Sequence, residues 1–182
     1  MTTLLEAQTE TVQLCDEHGN FTKVGVRSEY CLQNTQEFCA ATSVWVLNAQ
    51  GEILCSQRGK WAYSKPGRWQ TSFGGHIAQG ISFEIGALVE LQEEAGLVFP
   101  PEQLFYIGDE TRYESKHFAK LFAVRWDGEV ESLYSHDSEI AAYKWFSFPE
   151  YVTTRDLSPE GWCLGISEEN YEKCLKVLGI YI

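Results

Sequence analysis

The apolar positions of this chain change period along its length, and each change predicts an element. TVQLCDE, from Thr11, alternates apolar and polar residues as a half-buried strand does. HGN then supplies turn residues, and FTKVGVRSEY returns, so residues 10–40 are expected to form a small hairpin extension ahead of the main sheet. Residues 1–9 are polar and are expected to fray. Two apolar runs, ATSVWVLN and ILCSQR, flank the short link AQGE, which predicts a second hairpin turning at Gly51. The stretch GKWAYSKPGRW is rich in glycine, proline and cations and is expected to be an exposed loop. After the short apolar run WQTSF, Gly74 and Gly75 permit a turn that bulkier residues resist.

From Ser82 the period changes to that of a helix. Apolar residues at 83, 87, 88, 91 and 95 recur on one face, and Gly96 stands where a helix stops. This helix should pack on the sheet through Phe83, Ala87, Leu88 and Leu91. Beyond it LFYIGDETRYE, KHFAKLFAVRW and EIAAYKWFSF read as strands and PEYVTT as a short helix. SEENYEKCLKVLGI reads as a terminal helix over 166–179, with Ser167 as its cap. The order predicts a single α/β (α+β) domain over residues 1–182, a mixed β-sheet sandwiched between helices. No internal repeat or low-complexity tract interrupts it.

Composition narrows the function classes. With 26 acidic against 14 basic residues the formal net charge is −12, which argues against a long nucleic acid as partner. No stretch approaches the roughly 18 uninterrupted apolar residues of a membrane helix, and no signal segment is visible, so a cytoplasmic protein is expected. The six cysteines show no metal-clip spacing and read as thiols of a reducing compartment. Acidity does not exclude a small phosphorylated ligand, because carboxylates filled with divalent cations present positive charge locally.

Such a cluster is visible. Glu90, Glu93 and Glu94 lie three and four residues apart, on one side of the predicted helix. Carboxylates crowded in this way suit Mg²⁺ or Mn²⁺; the alternative is a solvated acidic face. The whole string GGHIAQGISFEIGALVELQEEAGL resembles the Nudix box, GX5EX7REUXEEXGU with U a bulky aliphatic residue. Begun at Gly75, the pattern spans residues 75–97 and matches Glu90, Leu91, Glu93, Glu94, Gly96 and Leu97. Ile81 stands where the family has its first glutamate and Val89 where it has the arginine that orients the catalytic glutamate.

The resemblance implies the Nudix fold and metal-dependent hydrolysis of a diphosphate linked to another group. It implies Glu93 and Glu94 as metal ligands, Glu90 as ligand or base, the Gly75 carbonyl as a further ligand, and a distal acid. Glu139 is the candidate for that acid and Glu114 the second choice. The substrate would be small and phosphorylated, and homodimers are common in the family. Arg58, Lys60, Lys65 and Arg68 are candidates to grip phosphate; Trp61 and Trp69 are stacking candidates or core. A non-catalytic module of the same fold, binding a nucleotide-like ligand or a partner, is the alternative that Ile81 and Val89 favour.

The layout is also similar to the branch containing isopentenyl-diphosphate isomerases. That branch places a cysteine two residues before a metal-binding histidine, where this chain has Gly74 and His76. It uses a further histidine and a glutamate where this chain has Cys39 and His117. Without the cysteine and the glutamate, allylic proton transfer has no evident donor and acceptor. His76 stays a candidate ligand-binding residue or a structural one.

Overall fold

A computed structural model describes residues 10–30, 36–62, 64–135, 139–163 and 165–182. The expected fraying of residues 1–9 lies outside them. Eight strands form one curled mixed sheet: β1 (Thr11–Cys15), β2 (Phe21–Val26), β3 (Phe38–Leu47), β4 (Ile53–Arg58), β5 (Trp69–Gln70), β6 (Phe105–Arg112), β7 (His117–Arg125) and β8 (Ile140–Phe146). Among the described residues four α-helices complete it: a single turn α1 (Arg27–Tyr30), α2 (Phe83–Ala95), α3 (Phe148–Leu157) and α4 (Glu168–Leu178).

All ten residues of β3 are buried. A strand covered on both faces carries no alternation, which explains its unbroken apolar run. It runs parallel to β7 from Cys39↔His117 to Leu47↔Arg125 and antiparallel to β1 and β4. One face buries Val44, Val46, Leu54 and Phe122 against Phe83, Ala87, Leu91 and Ala95 of α2. The other buries Trp45, Leu47 and Ile53 against Tyr151 of α3 and Tyr171 and Cys174 of α4. The sheet therefore lies between helices, as an α/β fold requires.

Helix α2 stops at Gly96 as predicted, and Ser82 caps its start. Ser82 Oγ accepts the Ile85 N–H at 3.3 Å, and Gly96 adopts the left-handed conformation at φ 69°. Its buried face differs at one position, because Leu88 is only partly buried while Gly86 is buried. A Cβ on Gly86 would lie 2.5 Å from Ile77 Cδ1, so the missing side chain lets the helix settle onto that residue.

The hairpin of β3 and β4 is more open than its sequence suggests. The two strands pair only at Leu47↔Ile53, and the segment after β5 inserts between them, bridging Val44 to Phe73 and Ala41 to His76. This wedge carries Gly74 and Gly75 into the middle of the fold. Elsewhere RSEY is a helical turn rather than strand, PEYVTT belongs to a ten-residue helix, and Cys39 is disulfide-bonded while Cys15, Cys55, Cys163 and Cys174 are free. The reading of all six cysteines as thiols is thus corrected at Cys39. No helix among the described residues is long and apolar enough to cross a membrane.

Candidate functional site

The site forms where the wedge meets α2. Gly74 donates its N–H to Glu94 Oε2 at 2.9 Å, and a Cβ on Gly75 would lie 2.2 Å from Glu90 Oε1. The glycine pair thus serves as a floor for two carboxylates that a side chain would displace. The Gly75 carbonyl accepts the Thr42 N–H at 2.9 Å, which occupies one of its two lone pairs. Tyr143 of β8 donates its hydroxyl to the Glu94 carbonyl at 2.5 Å, anchoring the last turn of α2 to the sheet.

Glu90 is a strongly perturbed carboxyl. Burial, then the charges of Glu94, Glu93, Glu10 and Glu139, push it up from an ordinary 4.5 to about 9. The structure therefore brings Glu139 into the field of Glu90, through the bond from Gly59 N–H to the Glu139 carbonyl at 2.6 Å. Glu114 lies instead in the exposed turn between β6 and β7.

Glu10 has no sequence signal, since eighty residues separate it from Glu90. It arrives because β1 docks beside the wedge, with Gln13 N–H donating to the Ile77 carbonyl at 2.7 Å. Its carboxylate is held by Arg27 at 2.8 Å. Among the described residues no three His, Cys, Asp or Glu side chains converge closely enough to hold a metal ion as they stand. The carboxylates share one electrostatic neighbourhood rather than one point.

Ile81 packs against the apolar core and Val89 is exposed, so neither replaces the charge that the box pattern expects there. His76 does not stand alone. Its Nε2 lies 3.0 Å from His117 Nε2, and His117 Nδ1 lies 3.1 Å from Ser115 Oγ. Burial, then the charges of Arg27 and His117, hold His76 well below its ordinary value. Burial also lowers His117. The pair is neutral near pH 7, with one ring donating to the other.

The cationic candidates separate. Arg58 and Lys65 line a pocket of about 200 Å³ with Gln70, Ser72 and Arg112, the last unforeseen from sequence. Arg58 is fixed by the Ser64 carbonyl at 2.8 Å. Arg68 acts electrostatically on Glu160 instead, and Lys60 covers the exposed Trp61 ring. Trp69 packs against Phe146 and Trp162 in the core.

Replacing Gly75 with alanine is expected to push the Glu90 carboxylate aside and to lower any turnover at this site about a hundredfold, the cost of a misplacement near 1 Å. Calorimetric melting within a few degrees of wild type would accompany that loss, because the obstructing atoms belong to a movable side chain. Unchanged kinetics would remove the glycine floor from the site.

This arrangement, a mixed sheet between helices with a carboxylate-bearing helix against a glycine wedge, defines an α/β protein built around an acidic site. Residues 37–162 match the NUDIX domain family, and the chain belongs to that family. Among curated proteins it is 27% identical to the isopentenyl-diphosphate Delta-isomerase of Kocuria rhizophila, over 92% of this chain and 94% of that one. It is 26% identical to the enzyme of the same name from Shigella flexneri, over 84% and 85%. Among solved structures it resembles DR0079 of Deinococcus radiodurans at a TM-score of 0.70 and 14% identity, over 91% of this chain and 99% of that one. A bifunctional NMN adenylyltransferase/ADP ribose pyrophosphatase of Francisella tularensis, complexed with AMP and a manganese ion, matches at a TM-score of 0.53 and 15% identity. That match covers 80% of this chain and 42% of the other.

Proposed function

We propose that this protein is a divalent-metal-dependent hydrolase of a diphosphate linked to another group. The observation that carries the reading is the gathering of Glu94, Glu93, Glu10 and Glu139 around the buried Glu90 carboxyl, whose affinity for a proton is raised by burial first and by those charges next. Oxygen-only donors in that density fit Mg²⁺ or Mn²⁺. Glu93 is exposed and has rotational room to join Glu90, Glu94 and the Gly75 carbonyl in a ligand set.

When bound, such an ion supplies a polarised phosphate oxygen and an acidified water. The residues of the chain do the rest. Glu90 or Glu139 takes the proton of the attacking water, whose oxygen bonds to phosphorus as the anhydride P–O bond breaks and the second phosphate leaves. Gly74 N–H and the Tyr143 hydroxyl hold Glu94 and its helix in place. Arg58, whose neighbour Gly59 donates its N–H to the Glu139 carbonyl, and Lys65 neutralise the phosphate oxygens.

Two other readings have a specific observation each. A binding module is favoured by Val89, which leaves Glu90 without an arginine from its own helix. Isopentenyl-diphosphate isomerase is favoured by the curated relatives, against which stand Gly74 and His117 at the positions of the cysteine and the glutamate.

The deciding experiment measures phosphate release, after a coupled phosphatase, from nucleoside diphosphate derivatives and isoprenyl diphosphates with Mg²⁺ or Mn²⁺. Wild type is expected to release phosphate. Glu93→Gln is expected to lose about a hundredfold or more, within the range of a removed charge-stabilising group. Silence of the wild type, with metal still binding by calorimetry, would favour the module.

A further inference from the structure

The box is one carboxylate short at Ile81, whose side chain packs against the apolar core. The N-terminal hairpin brings another acid to the same place. β1 and the wedge both run antiparallel to β3, so they run parallel to each other, joined by the bond from Gln13 N–H to the Ile77 carbonyl. Three residues back along each, Glu10 comes level with Gly74 and Gly75, the floor against which the Glu94 and Glu90 carboxylates lie.

Glu10 is held by one oxygen only. Arg27 donates its backbone N–H to the Glu10 carbonyl and its Nη1 to Oε2, both at 2.8 Å, and among the described residues Oε1 accepts no hydrogen bond. The two charges of this ion pair reach different neighbours. Arg27 acts on His76 and His117, whereas Glu10 acts on Glu90. The pair therefore straddles the wedge, with its carboxylate on the acidic side. The Glu10 side chain is 41% exposed and has room to move. A hard cation accepts about six oxygen donors or more, so a further carboxylate beside Glu90, Glu93, Glu94 and the Gly75 carbonyl finds an open position, and an ion there relieves the repulsion between Glu10 and Glu90.

We propose that Glu10 is a carboxylate ligand of the divalent cation, supplied from the start of β1 in place of the acid that the box lacks at Ile81. The N-terminal hairpin is then part of the metal site and not only an extension of the sheet. The inference rests on the reading of the α2 carboxylates as a divalent-cation site.

The test is calorimetric titration of Mn²⁺ alone, without substrate, into wild type, Glu10→Gln, Glu10→Asp and Glu114→Gln. Glu10→Gln is expected to bind Mn²⁺ about tenfold to a hundredfold more weakly, the range in which disturbed metal sites fall. Glu10→Asp keeps the charge but shortens the reach by one methylene, and is expected to weaken binding about threefold or more because ligand distances tolerate only about 0.2 Å. Glu114→Gln removes the same charge from the exposed turn between β6 and β7 and should bind as wild type does. Melting temperatures without metal should stay together, since a part-exposed ion pair adds little to stability and the Arg27 backbone bond remains. Unchanged affinity in Glu10→Gln, unchanged affinity in Glu10→Asp, or an equal loss in Glu114→Gln overturns the proposal and leaves the α2 carboxylates as the cation site. A wild type that binds no Mn²⁺ overturns both this ligand and the metal-dependent reading. Weakened binding in both Glu10 variants without turnover by wild type upholds the ligand and counts against hydrolysis alone.

Discussion

At pH 8 Glu90→Gln is expected to melt about 5 to 10 °C above the wild type when divalent cations are absent, while its phosphate release with Mg²⁺ present falls about a thousandfold, within the range of a lost general base. The opposition follows from the site. A carboxyl with a folded-state value near 9 keeps a proton in the native protein that the unfolded chain has already lost above its ordinary 4.5. Between those two values raising the pH favours the unfolded chain, so this contribution to stability is present below about 4.5 and is lost progressively as the pH rises toward 9.

A tenfold change in a carboxyl's affinity for its proton is worth about 1.4 kcal/mol. Because the four carboxylates facing Glu90 can rearrange as it ionises, only about 2 to 3 kcal/mol of the difference is expected to appear at pH 8, and 1 kcal/mol moves the melting point of a chain this size by about 2 to 4 °C. Glutamine keeps the shape and cannot ionise, so the melting temperature of the variant should stay flat between pH 5 and pH 8.5 while that of the wild type declines. Added Mg²⁺ or Mn²⁺ should raise the wild type at pH 8 and leave the variant nearly unmoved, because the cation takes the place of the proton. Parallel slopes for the two proteins would show that the crowding at Glu90 is not what the structure implies.

The parts of this site legible in sequence are those built by local rules. Helix α2 was readable from its 3.6 period and Gly96, and Glu90, Glu93 and Glu94 followed from its spacing alone. Glu139 was visible only through resemblance, as an acid expected on a later loop, and its nearness to Glu90 depends on the pairing of β4 with β8. Glu10 and Arg27 were not visible, because the N-terminal hairpin reads as an addition to the sheet and nothing in it announces that β1 docks on Ile77. Arg112 stayed hidden for a similar reason. It alternates along β6 like any strand residue, and its place beside Arg58 is set by strands far apart in sequence.

The histidine pair shows the same limit from the other side. His76 alone was ambiguous between ligand and structure. The register of β3 with β7 sets His117 opposite Cys39, and the wedge sets His76 beside Ala41, two residues further along β3. Only the sheet brings the two rings together. The opening of the β3–β4 hairpin has a comparable cause. Gly51 and the short link do make a turn, with φ 75° at the glycine, but a hairpin signal specifies the turn and not how far the strands stay paired. The wedge competes for the edge of β3, and its glycines can approach more closely than β4 can.

That close approach underlies the second large effect. Gly74→Ala is expected to lower the melting temperature by about 10 °C or to leave the protein insoluble, since overpacking a filled interior costs about 1 to 3 kcal/mol and more where backbone must move. The added Cβ would lie 2.1 Å from the Thr42 carbonyl oxygen and 3.0 Å from Ser43 Cα, both backbone atoms of the central strand. Relief would require β3 and the wedge to separate, which would also disturb the Gly74 N–H bond to Glu94. Gly108→Ala is the control: nothing lies within 4 Å of a Cβ there, so its melting point should stay near that of wild type. The same collision bears on the choice between hydrolase and isomerase, because Gly74 is where the isomerase pattern carries its cysteine. The side chain is not merely absent here; the strand leaves no room for one. Gly74→Cys combined with His117→Glu is therefore expected to fold poorly and not to interconvert isopentenyl and dimethylallyl diphosphates. A double variant that melts like the wild type and isomerises would overturn both the packing argument and the preference for hydrolysis.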